Sequence, residues 1–195
     1  MLAPCTVLAP RAPTFVLSFF HLIVFFLPPL SNSGLAEHDP DVGLHNDKVV
    51  YIQRNVNSAV RSVANNEDVV EALRDEFGED VVLVHTGAEP FLDQLLMLAR
   101  ARVVVAAHGA GMANIIVAPE GCRVVMLPMW PMSDHSFIHL PAALGLHVTL
   151  LTDIRSYYYG NFGVIADKHV RQIVAAARHA WGEGSGGAAQ AKTEL

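Results

Sequence analysis

The chain has 195 residues, 52% of them hydrophobic, and a formal net charge of −6 from 13 Lys and Arg against 19 Asp and Glu. That length and apolar content suit one domain with a real core, and the acidic balance argues against a protein that grips a nucleic-acid backbone. Two cysteines, Cys5 and Cys122, exclude a disulfide framework; Cys122 reads as a small core residue at the start of a strand.

The first element is an apolar run of 13 residues, Phe15 to Leu27, preceded by Arg11 and ended by Pro28-Pro29. It is shorter than the roughly 20 residues a membrane-spanning helix needs and fits the core of a signal peptide within residues 1–30, with small residues from Ser31 to Ala36 available for cleavage. Left uncut, the 19 residues from Ala12 to Leu30 make a signal anchor. Either reading places the following domain in the secretory lumen, endoplasmic reticulum or Golgi. The last four residues, Lys192-Thr-Glu-Leu195, differ at Thr193 from a retrieval address for the endoplasmic reticulum.

Residues 31–47 are polar and proline-containing, a linker. From Lys48 the pattern alternates. Lys48 to Gln53 is a strand and Arg54 to Arg61 the loop after it. A helix begins at Asn65-Asn-Glu-Asp, buries Val69, Val70, Leu73 and Phe77, and stops at Gly78. Val81 to His85 is a second strand, and Phe91 to Ala101 a helix apolar nearly all round. Val103 to Ala107 is a third strand, short, uncharged and suited to burial on both faces. A glycine turn and a short helix to about Val117 follow. Pro119-Glu-Gly121 leads into a fourth strand, Arg123 to Leu127, then a loop from Pro128 to His135 and a helix over Phe137 to Leu144. His147 to Leu151 is a fifth strand, Asp153 to Gly163 a tyrosine-rich loop, Val164-Ile165 an edge and Asp167 to Trp181 the last helix. Residues 182–195 are a glycine-rich tail. Alternation of this kind predicts an α/β domain over 48–181, a Rossmann-like parallel sheet with helices on both faces and its site beyond the carboxyl ends of the strands.

His108-Gly-Ala-Gly111 sits at such an end. Without Cβ atoms, Gly109 and Gly111 let the backbone turn sharply and come close to a ligand, with N–H groups facing outward, which suits a phosphate. A dinucleotide fingerprint is disfavoured, because Asn114 occupies the third glycine position and no acidic residue ends the next strand. No P-loop and no nucleophile elbow is present. His135 and His139 have a zinc-like i, i+4 spacing but no third ligand in a recognisable motif, so no metal is expected. Tyr157 to Tyr159 either stack on a ligand ring or pack their loop onto the domain.

Three blocks resemble the family 61 glycosyltransferases: Tyr51-Ile-Gln-Arg54 with Arg61 and Asn65-Asn66-Glu67; His108-Gly-Ala-Gly-Met-Ala-Asn114; and Pro119-x-Gly121 before an apolar strand. The resemblance runs from about Lys48 to Ala177. It implies the carboxyl-terminal, donor-binding lobe of a GT-B enzyme, holding a UDP-sugar (N-acetylglucosamine or xylose) with no metal or other cofactor, and transferring the sugar with inversion to a protein or polysaccharide acceptor. Arg54, Arg61, His108, Gly109, Ala110, Gly111 and Asn114 become the donor and phosphate-binding set, with His108 also the candidate for catalysis. Arg54 is the stronger cation, since Arg61 equally suits a pair with Glu67 or Asp68. His108 either contacts phosphate or sugar or bonds to backbone, and Asn114 either caps its helix or meets ligand. The 47 residues before Lys48 are too few for the amino-terminal lobe such an enzyme also uses. Either the sequence is an incomplete chain of such an enzyme or, as the alternative reading, it is a non-catalytic nucleotide-sugar- or partner-binding module derived from one.

Overall fold

The structure, a computed structural model, describes residues 35, 37–39, 45–54, 62–130, 136–154, 156–157 and 162–183. The expected leader, residues 1–30, and the tail beyond residue 183 lie outside the described residues, among which no helix is long and apolar enough to cross a membrane.

Five strands form one parallel sheet: β1 (Lys48–Ile52), β2 (Val82–His85), β3 (Ala101–Ala107), β4 (Arg123–Leu127) and β6 (His147–Leu150), in the order β2-β1-β3-β4-β6. Between them run α1 (Asn66–Phe77), α2 (Phe91–Ala99), a 3-10 segment (Ala110–Val117) and α3 (Ser136–Ala143), and α4 (Asp167–Glu183) closes the domain. The period-two side-chain alternation of the strands divides the core in two. Val49, Tyr51, Val103, Val105, Val125 and Leu127 face α1 and α4. Val50, Ile52, Val104, Ala106, Val124 and Met126 face α2, the 3-10 segment and α3. Both faces are apolar because both are covered, which is what the uncharged run in β3 required.

Local chemistry explains the helix ends. Glu67 and Asp68 lie in the first turn of α1 and Arg74 in its last, and Gly78, at φ 100°, returns its N–H to the carbonyl of Arg74. At the amino edge of the sheet Arg102 stacks on Trp181, 4.5 Å from the ring centre, and donates to that residue's carbonyl near the end of α4.

Several boundaries differ from expectation. β3 begins at Ala101 rather than Val103, because Ala101 pairs with Lys48 of β1. The segment after the glycine turn is the expected short helix to Val117, of the 3-10 kind: Met112 donates to Gly109 and Ala118 to Ile115, each three residues back. Two stretches expected as loop contain two-residue strands, β5 (Met129–Trp130) and β7 (Ser156–Tyr157), paired in parallel. In place of an edge at Val164-Ile165 there is a single bridge between Val63 and Gly163, and Val164 is exposed.

Candidate functional site

β1 lies between β2 and β3, so the connections leaving β1 and β3 pass to opposite sides and a crevice opens between their carboxyl ends. Arg54 stands two residues beyond β1, and His108-Gly109 directly beyond β3. The half-buried Arg54 side chain crosses the crevice, and its Nη1 donates to the carbonyl of His108 at 3.3 Å. It lies where a side chain at 109 would be: a Cβ built on Gly109 falls 2.1 Å from that nitrogen, and the glycine has φ +154°. Here the glycine is required twice, by its backbone and by the cation above it.

Ala110 and Gly111 are exposed, so the backbone of the turn is open to solvent beside the guanidinium. Beneath it a Cβ on Gly111 would press to 3.1 Å from Ile52. His108 is 1% exposed. Its N–H donates to the carbonyl of Leu127 at 2.9 Å, and its ring meets Phe137 of α3 edge-on, 5.4 Å between centres. The ring is thus enclosed, and it is the carbonyl of His108 that meets the cation. Asn114 donates to Gln94 of α2 at 3.1 Å, and Gln94 donates to the carbonyl of Glu89 at 2.8 Å, a cross-brace between the 3-10 segment and the β2–α2 turn.

That turn has the opposite electrostatic character. Burial opposes ionisation of Glu89, but bonds donated by the Thr86 hydroxyl and the N–H groups of Thr86 and Gly87 outweigh it and lower its pKa to about 2. The start of α2 therefore carries negative charge, whereas the crevice between β1 and β3 carries the Arg54 guanidinium. His85, 3% exposed, accepts from the N–H of Gly87 at Nδ1, which puts its proton on Nε2, a buried atom without a hydrogen-bond partner among the described residues.

Two residues quoted only as part of a motif prove to anchor the site. Tyr51 donates to Oδ1 of Asn66 at 2.7 Å, and Nδ2 of Asn66 donates to the carbonyls of Val63 and Arg54. An asparagine opening a helix reads as a cap in sequence, and only its neighbours across the fold show otherwise. Arg61, His135, Tyr158 and Tyr159 lie outside the described residues; Tyr157 falls in β7 and His139 is exposed on α3. No group of three or more His, Cys, Asp or Glu able to hold a metal ion occurs among the described residues. A surface hollow lined by Asp153, Lys168, His169 and Gln172 lies past β6, at the sheet's margin and away from the crevice.

No curated protein matches the chain. The family model described as Glycosyltransferase 61 matches residues 18–125, more than half of the sequence and the whole stretch from Arg54 to Asn114. With its parallel α/β sheet and this match, the chain belongs to glycosyltransferase family 61.

Proposed function

We propose that the domain binds the donor of an inverting, metal-independent glycosyl transfer: a UDP-sugar, N-acetylglucosamine or xylose, destined for a protein or polysaccharide acceptor in the secretory pathway. The observation that carries this reading is the Arg54 guanidinium seated on Gly109 at the switch point of the sheet. In the transfer, the acceptor oxygen bonds to the anomeric carbon as the bond from that carbon to the β-phosphate oxygen breaks and its electron pair leaves with UDP. Negative charge grows on the diphosphate, and a guanidinium already held in place stabilises that charge without reorganising. The exposed backbone of Ala110 and Gly111 supplies donors beside it. Arg61 is proposed as a second cation from the loop after β1. His108 shapes the turn from beneath, its ring packed on Phe137, and no proton transfer is assigned to it. Asn114 braces the turn through Gln94.

The test is calorimetric titration of UDP into the full chain with chelator present, beside Arg54→Ala, followed by an assay for sugar transfer. Saturable binding is expected, weakened about tenfold or more by the substitution, since a hydrogen bond to a charged group is worth about 1.5–3 kcal/mol. No binding, or binding unaffected by Arg54→Ala, would overturn the reading. Binding without transfer by the chain alone selects the non-catalytic module.

A further inference from the structure

We propose that Asn66 is a positioning residue for the diphosphate, acting through Arg54 as a staple that holds together the two ends of the loop leaving β1. The inference rests on the reading of Arg54 as the phosphate cation. The geometry is specific. One side-chain amide nitrogen, Nδ2 of Asn66, donates to the carbonyl of Arg54 at 3.4 Å, where the chain leaves β1, and to that of Val63 at 2.6 Å, where it returns to α1. The amide oxygen of the same residue accepts from the Tyr51 hydroxyl at 2.7 Å, which ties the staple to β1, an interior strand of the sheet. Asn66 is 3% exposed and Tyr51 likewise 3%. Burial pushes the phenol above its ordinary range, so Tyr51 remains a donor at every working pH.

Arg54 would otherwise be a long side chain on an irregular backbone with many rotamers available. Fixing its carbonyl fixes the origin from which the guanidinium reaches Gly109, so less freedom is lost when a phosphate arrives. The adjacent Asn65 bonds both the N–H and the carbonyl of Ile165, and anchors the start of α1 to the segment that leads into α4. The two asparagines divide the work: Asn65 holds α1 to the fold, and Asn66 holds the arginine to α1.

The experiment measures UDP and uridine binding by the full chain carrying Asn66→Ala, Tyr51→Phe, Arg54→Ala and the double change Arg54→Ala with Asn66→Ala. Leu73→Ala, which truncates a core residue of the same helix, is the control for mere loss of stability. Asn66→Ala is expected to weaken UDP about three- to tenfold with uridine unchanged, and Tyr51→Phe to do the same more weakly. In the Arg54→Ala background, Asn66→Ala should cost nothing more, since a residue acting through Arg54 has nothing left to act on. If Arg54→Ala loses UDP while Asn66→Ala and Tyr51→Phe bind as wild type, or if UDP and uridine weaken together, the staple is overturned and the reading of Arg54 stands. If Arg54→Ala binds as wild type, the reading itself fails and the staple with it. Should Asn66→Ala not fold, Tyr51→Phe decides by the same comparison.

Discussion

A methyl group at position 109 would meet Nη1 of Arg54 at 2.1 Å, yet the obstacle is the tip of a flexible side chain, not backbone. Gly109→Ala should therefore fold, at a cost of about 1–3 kcal/mol for a non-glycine residue at φ +154°. The displaced guanidinium is the larger consequence: loss of UDP binding should exceed what the loss of stability explains, and parallel denaturant melts and titrations check it. The glycines were legible in the sequence because their chemistry is local; a strand end followed by Gly-Ala-Gly allows few backbones. The partners of polar side chains were not. Asn66 opens α1 and Asn114 lies inside the 3-10 segment, and nothing local shows that one fastens Arg54 while the other braces a neighbouring turn through Gln94. His108 carried two readings, and enclosure against Phe137 is a fact about α3, nearly thirty residues further on.

Among the elements, the β2–α2 turn makes a prediction of its own. Glu89 collects bonds from the Thr86 N–H, the Thr86 hydroxyl and the Gly87 N–H at 3.0, 2.6 and 2.9 Å. Its pKa falls from 4.5 to about 2, so the ionised form is favoured by folding; the stabilisation is full above pH 4.5 and is lost as pH falls through about 2. Glu89→Gln should destabilise the domain at pH 7, and the gap between variant and wild type should narrow progressively in urea melts toward pH 2, where wild-type Glu89 is itself protonated. A gap independent of pH would show that the charge is not what matters. This turn reads as an ordinary loop in sequence, since Glu89 before Pro90 resembles a helix entry and its acceptor role depends on the path of Thr86 and Gly87. The 3-10 segment was legible as a short helix, but its apolar residues suit either kind; the three-residue spacing of its bonds, with Met112 and Ile115 fully buried, is seen only in the structure.

For the molecule as a whole, the two faces of the sheet carry separate apolar layers that only the sheet joins. Leu98 of α2 and Ile173 of α4 are each 0% exposed, one in each layer. Truncation of either to Ala should cost about 2–5 kcal/mol, and because opposite layers share no contacts the costs should add within about 0.5 kcal/mol while unfolding stays a single transition. Two transitions in the melt of either variant would show that the layers are not one cooperative unit. The alternation of apolar strands with helices determined the α/β class and the five strands of the parallel sheet in nearly their observed bounds, because periodicity and burial on both faces are properties of consecutive residues. It determined also that the Gly109 turn and Arg54 stand past the carboxyl ends of the strands, where the proposed donor site lies. Tertiary structure alone decided the strand order. Putting β1 between β2 and β3 depends on which strands share hydrogen bonds across long stretches of chain, and that order brings Arg54 and His108, 54 residues apart, into one crevice with Gly109. It decided the long-range partners of several polar side chains as well, since Tyr51 meets Asn66 and Asn65 meets Ile165 only when the fold closes.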